Sequence, residues 1–230
     1  MSASKLILWD LDETLVSTDG AGERAFEKAA KKVFGEELSL REIDYSGQTD
    51  KIIAILVRRH VGFSEHDDAS LDRFLTGFLN FLPNELPLGN PRVLPGVERV
   101  TSMIMQEATF AQGLLTGNLA AGAETKLRYF GLWERFPFGA FADDANDREQ
   151  LGPIALKRAA IHHGTEFLAD STIVIGDTVR DISCARAFNA LSLAVASGQA
   201  SVDELLAAGA DCVVESIEDE MVLDFIGFPA

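Results

Sequence analysis

The hydrophobic positions of the chain follow two rhythms in succession. Leu6-Ile7-Leu8-Trp9 is a continuous apolar run, too short for a helix and flanked by polar residues, which predicts a buried strand of a parallel sheet. From about Gly20 to Pro83 the spacing is helical and no strand is expected. Ala25, Phe26, Ala29, Ala30 and Val33 mark one apolar face, and Gly35 is placed to stop that helix. Leu38, Leu40 and Ile43 predict a short second helix. Thr49 stands as the N-cap of a third, with Ile52, Ile53, Leu56 and Val57 inside it. Ser64 precedes Asp67 in capping-box order. Beyond them Leu71, Phe74, Leu75, Phe78, Leu79 and Leu82 form the clearest amphipathic stripe of the chain.

The breaker-rich stretch from Pro87 to Gly96 ends this block, and strands then alternate with helices. Strands are expected at Phe110 to Leu115, Phe138 to Ala142, Ser171 to Ile175, Leu191 to Ala196 and Asp211 to Val214. Helices are expected around Val97 to Ile104, Ala120 to Phe130, Pro153 to His162, residues 181–188 and Ser201 to Ala208, with one more at the C-terminus. Such alternation means βαβ units and a parallel sheet. The fold class is therefore α/β, with a Rossmann-like parallel-sheet core and an inserted all-α cap. Residues 1–16 and 93–230 are assigned to the core and 17–92 to the cap, with hinges near 15–22 and 86–95.

Composition narrows the picture. The 230 residues are 47% hydrophobic and 24% charged, an ordinary globular balance. A net charge of −16 argues against nucleic acid or an anionic membrane as partner. No apolar run approaches the ~20 residues of a membrane span. Cys184 and Cys212 match no metal spacing and are read as reduced thiols. Met1-Ser2-Ala3-Ser4-Lys5 lacks a signal-peptide layout, so the expected location is the cytoplasm. His60, His66, His162 and His163 are read as surface residues, Trp9 as core beside the site, and Trp133 as packing at a helix end.

The first strand ends in Asp10 and Asp12, with Thr14 two residues on. In an extended chain residues i and i+2 point the same way, so one carboxylate could attack while the other handles a proton. Two acids this close repel each other and invite a divalent cation. Two later strands end in Thr116-Gly117-Asn118 and in Gly176-Asp177, with Asp181 beyond. In a parallel sheet these ends share the edge where open α/β folds bind ligands. The Thr116 hydroxyl with the amides of Gly117 and Asn118 suits a phosphate oxygen, and Asp177 with Asp181 completes a carboxylate-rich pocket suited to Mg²⁺.

These motifs, in this order, resemble motifs I, II and IV of the haloacid dehalogenase superfamily: Asp10-Leu11-Asp12-Glu13-Thr14, Leu115-Thr116-Gly117-Asn118 and Gly176-Asp177-Thr178-Val179-Arg180-Asp181. Within it the chain is similar to the phosphoglycolate phosphatase-like members with a helical (C1-type) cap, and Leu94-Pro95-Gly96-Val97 and Ser46-Gly47-Gln48-Thr49-Asp50 strengthen the likeness. The resemblance implies a phosphoric monoester hydrolase. Asp10 would be the nucleophile, forming an aspartyl-phosphate, and Asp12 the general acid/base. Thr116, Gly117 and Asn118 would hold the phosphoryl group. Asp10, Asp12 (through its backbone carbonyl), Asp177 and Asp181 would surround Mg²⁺. Motif III, usually a Lys, departs from the family pattern. Arg148 is chosen as the phosphate-binding cation, with Lys157 as the alternative.

An acid at position 12 separates the chain from dehalogenases, which need no protonated leaving group. A phosphonate hydrolase would need a cap lysine in the site, and Lys28, Lys31, Lys32 and Lys51 are read as solvated. The expected substrate is a small phosphorylated metabolite, with phosphoglycolate as the family default. A sugar-phosphate mutase is the alternative enzyme, and a non-catalytic phosphate- or protein-binding module the alternative of another class. The chain is expected to be a monomer or homodimer.

Overall fold

The computed structural model describes residues 3–63 and 68–229. The Ser64–Asp67 capping pattern and His66 lie outside those residues. The chain opens with β1 (Lys5–Trp9) and the two-residue β2 (Val16–Ser17). Three helices follow: α1 (Ala21–Phe34), α2 (Asp50–His60) and α3 (Asp68–Glu85). Next come β3 (Arg92–Val93), α4 (Val97–Gln106), β4 (Phe110–Leu115), α5 (Ala120–Tyr129), β5 (Gly139–Ala140) and α6 (Leu151–His163). The chain closes with β6 (Thr172–Gly176), α7 (Val179–Ala187), β7 (Leu191–Val195), α8 (Val202–Ala207), β8 (Cys212–Val214) and α9 (Glu220–Ile226).

Among the described residues six strands form one parallel sheet in the order β5-β4-β1-β6-β7-β8. The apolar run at the start of the chain is its centre: Leu6 to Trp9 are fully buried, as strands covered on both faces require. β1 pairs with β4 on one side and β6 on the other, with Trp9 level with Leu114 and Ile175. That register aligns three strand ends, so Asp10, Thr116 and Asp177 emerge side by side. Trp9 also donates its Nε1–H to Gln112 (3.2 Å), which satisfies a polar atom under the site.

The helical block has its own core. Phe26 of α1 stacks on Phe78 of α3 with centroids 3.9 Å apart, and Phe74 packs beside them. The two N-terminal stripes read from the sequence thus meet each other. Gly35 ends α1 with φ 77° and donates to the carbonyl of Lys31, a left-handed cap that favours glycine. Thr49 caps α2 by accepting from the amide of Ile52 (3.3 Å).

Two local expectations change. The short helix over Leu38, Leu40 and Ile43 is a single 3₁₀ turn, Leu40–Glu42, because the surrounding polar and glycine positions give no second turn to propagate. The connecting segments near 15–22 and 86–95 are partly ordered as an antiparallel β2–β3 ribbon, with Val16 opposite Val93. Two-residue strands carry too little pattern to read in advance.

Candidate active site

The sheet edge carries one cavity of about 400 Å³, a size suited to a small molecule. Asp10, Asp12, Gly117, Asn118, Arg148 and Asp177 line one part of it, and Phe26, Ile53 and Phe78 of the helical block line another. Asp10 extends the β1 ladder, donating its amide to the carbonyl of Ile175 (2.8 Å). Its buried carboxylate lies 2.9 Å from Arg148 Nη2. Arg148 sits in a 3₁₀ turn (Arg148–Gln150) that Asp147 caps by accepting from the amide of Glu149 (3.0 Å). The same guanidinium pairs with Asp181 and donates to the carbonyl of Gly47 (3.1 Å). Its Nε–H is buried and has no acceptor among the described residues.

Burial is the main force on the titratable groups. It raises Asp10 to about 6, with Asp181 and Asp12 adding to the rise and Arg148 opposing it. Asp177 is pushed up to about 9 by burial and by the charges of Asp181 and Asp10, against the bond it accepts from Thr14 (3.2 Å). Burial alone would lower Arg148, but the charges of Asp10 and Asp181 more than offset it and hold the guanidinium protonated. One cation is thus shared among three carboxylates. Oxygens of Asp10, Asp177 and Asp181 lie within 4.8 Å of one another, a hard-oxygen set that suits a small divalent cation. Asp181 is the most committed of the three: one oxygen pairs with Arg148, and the other accepts from the Thr178 amide (3.0 Å) and hydroxyl (2.7 Å) at the start of α7.

Asp12 stands apart from that cluster. Its carboxylate accepts from Asn118 Nδ2 (2.8 Å) and from Lys126 Nζ (2.8 and 2.6 Å). Lys126 is buried on α5 and also donates to Asn118 Oδ1 (2.7 Å). The sequence reading missed Lys126. It lies in the helix after a site strand, eight residues beyond Asn118, a spacing that does not by itself separate it from a solvated lysine. Thr116 is fully buried behind Asn118, and its hydroxyl oxygen accepts from the amide (3.3 Å) and side chain (3.0 Å) of that residue. Lys157 is exposed on α6, whereas Arg148 is buried among the carboxylates.

The helical block closes on this edge through the Ser46–Asp50 loop. The Asp50 amide donates to the Gly117 carbonyl (2.7 Å), and the Asp50 carboxylate accepts from the Leu119 amide (2.7 Å). A Cβ on Gly117 would lie 2.5 Å from the Gln48 carbonyl oxygen, so this close approach requires glycine. Arg180 donates to the Ser46 carbonyl (2.9 Å), and Thr49 to that of Asn146 (3.0 Å).

Burial raises Asp50 to about 7, against the opposing charge of Lys126 and the bond from Leu119. A carboxyl whose folded value exceeds its unfolded one favours the native state while protonated, and that contribution disappears as pH rises from about 4 to about 7. Asp50→Asn is therefore expected to flatten the loss of stability between about pH 5 and about pH 8, by a few kcal/mol at most. Urea denaturation of both proteins at the two pH values measures it. Parallel slopes would mean that Asp50 does not titrate in this range.

The family model for haloacid dehalogenase-like hydrolase matches residues 7–186. "Probable phosphatase IndB" of Dickeya dadantii (strain 3937) is 23% identical, the match covering 93% of this chain and 90% of that protein. Solved structures share the fold, two of them as follows. A hydrolase from Pseudomonas syringae superposes with a TM-score of 0.75 at 23% identity, over 97% of this chain and 99% of that one. CbbY from Rhodobacter sphaeroides, determined in complex with phosphate, gives 0.76 at 18% identity, over 94% and 96%.

Proposed function

Because the chain belongs to the haloacid dehalogenase-like hydrolase family, we propose that it is a Mg²⁺-dependent phosphatase for a small phosphorylated metabolite, acting through a phosphoryl group carried on Asp10. The observation that carries this reading is the division of labour between the two carboxylates of the first strand end. Asp10 faces the Arg148 guanidinium and Asp12 the Lys126 ammonium, and both line one cavity.

In this reading Asp10 attacks phosphorus in line, the ester P–O bond breaks, and Asp12 gives its proton to the departing oxygen. Asp12, now ionised, takes a proton from water as that water attacks the phosphoryl-Asp10 and releases inorganic phosphate. Arg148 and the amides of Gly117 and Asn118 orient the phosphoryl oxygens, with Thr116 supporting Asn118 from behind. Asp10 and Asp177 would hold Mg²⁺, aided by the Asp12 backbone carbonyl, with Asp181 fixing Arg148 beside them; the cation would neutralise charge on the transferring group. Residues 17–92 act as a cap that excludes bulk water and reads the leaving group.

Phosphate release from a panel containing phosphoglycolate, sugar phosphates, nucleotides and pyrophosphate, in Mg²⁺ and in EDTA, tests the proposal. Metal-dependent turnover supports it, and no release from any compound by folded protein overturns it. Lys126 enters through the second half of the cycle. The ammonium bonds both oxygens of Asp12 and so holds that carboxylate in place for the attacking water. Lys126→Met is expected to lower kcat about 10²-fold and to make the phosphoryl-enzyme accumulate in acid-quenched turnover. A slowed reaction without accumulation would place Lys126 in the first half instead.

A further inference from the structure

Acidic side chains outnumber basic ones in the cavity wall. Six carboxylates line it (Asp10, Asp12, Glu13, Glu23, Asp50 and Asp177), against two cations among the described residues, Lys126 and Arg148. Both cations are already engaged. Arg148 is bonded to Asp10, Asp181 and the Gly47 carbonyl. Lys126 is bonded to Asp12 and Asn118, so all three of its protons have acceptors. Arg41 lines a neighbouring surface groove together with Glu23 and Tyr45, not this cavity. The helical block therefore contributes carboxylates but no cation to the cavity wall. Glu23 projects from the first turn of α1 and accepts from the Tyr45 hydroxyl. Asp50 lines the cavity from the start of α2. The same wall has an apolar part: Phe26 and Phe78, which stack on each other, with Leu40 and Ile53.

Resting on the phosphatase reading, we propose that the leaving group is uncharged or cationic, with an apolar body and a hydrogen-bond donor directed at Glu23, and that esters carrying a second anionic group are excluded. The phosphoryl end of such a substrate meets Arg148 and the strand-end amides. Its organic end meets aromatic faces, which give area without adding charge. A carboxylate in that position would lose its water beside Glu23 and find both lining cations already bonded to acids, a cost that acts as discrimination. An ammonium or hydroxyl donor meets acceptors at the same place.

Three matched probes test this: phenyl phosphate, 4-carboxyphenyl phosphate and 4-(aminomethyl)phenyl phosphate. Their affinities for the Asp10→Asn protein, measured by calorimetry with Mg²⁺, report the charge preference without requiring turnover. The aminomethyl and phenyl esters are expected to bind at least about tenfold more tightly than the carboxylated one. Glu23→Gln should narrow the gap between the cationic and anionic probes, and Glu23→Lys should reverse it. Equal or tighter binding of the carboxylated probe overturns the proposal, and so does a gap that both Glu23 variants leave unchanged. Phosphate release from the metabolite panel by the native protein is read separately: its absence overturns the phosphatase reading, while the binding order still decides the charge of the pocket.

Discussion

Asp10→Asn is expected to remove at least about three orders of magnitude of phosphatase turnover and, in metal-free buffer, to leave the protein as stable as the native chain or more so. The two effects have one cause. Asp10 is buried at the end of the central strand, with two other carboxylates within reach and one guanidinium shared among them. Burial and those neighbours hold it at about 6, above the usual carboxylate range, so near neutral pH the ionised side chain opposes folding. The amide variant keeps the shape, removes the charge and leaves Arg148 its partner Asp181. A gain of about 1–3 kcal/mol follows from a displacement of that size, or about 2–12 °C in melting temperature for a chain of this length. Activity is lost because an amide neither attacks phosphorus nor carries the phosphoryl group. Acid-quenched native protein should hold phosphate in a base-labile linkage, and the variant should hold none. Retention of native turnover would remove Asp10 from the mechanism. A clear fall in melting temperature would show that the carboxylate is held by more favourable contacts than its neighbours suggest.

That trade of stability for chemistry explains which parts of the molecule are legible in the chain. Leu6 to Trp9 are readable as a central strand because burial on both faces leaves no room for polar residues. The α3 stripe is readable because Phe74, Phe78 and Leu82 must all reach one neighbour. The strand ends at Asp10, Thr116 and Asp177 are readable because carboxylates and a Thr-Gly-Asn turn after apolar strands serve no packing purpose. Lys126 was not legible. One lysine within a helical pattern looks like any solvated lysine, and its burial depends on Asp12, which approaches from an element far away in sequence, as well as on nearby Asn118. Likewise, nothing in Gly117 announces that the Gln48 carbonyl will come to rest against it. Local periodicity determines elements, whereas ion pairing and close backbone approach belong to the assembled fold.

Arg148 gives the largest expected effect on stability. Arg148→Ala deletes the pairs with Asp10 and Asp181 and the bond to the Gly47 carbonyl. It leaves three buried carboxylates facing one another without a cation. Breaking a buried pair from one side costs about 3–5 kcal/mol, which in a chain of this length is about 6–20 °C in melting temperature. The carboxylates can relieve the repulsion by binding protons. Asp10 and Asp177 already stand above their ordinary values with Arg148 present, and without it they rise further. Protons held by the folded state and released on unfolding stabilise it only below those raised values, so the deficit of the variant should be largest near pH 8 and shrink toward pH 5. Mg²⁺ should recover more stability in the variant than in the native protein, since a cation at Asp10 and Asp177 supplies the missing charge. Arg148→Lys should fall between them: a point charge can meet one carboxylate, but it cannot span Asp10 and Asp181 while reaching the Gly47 carbonyl. Thermal melts of the three proteins in EDTA and in Mg²⁺, at both pH values, separate these effects. An Arg148→Ala deficit that is the same at every pH and indifferent to Mg²⁺ would mean that the guanidinium supports the Gly47 loop by packing and does not neutralise the cluster.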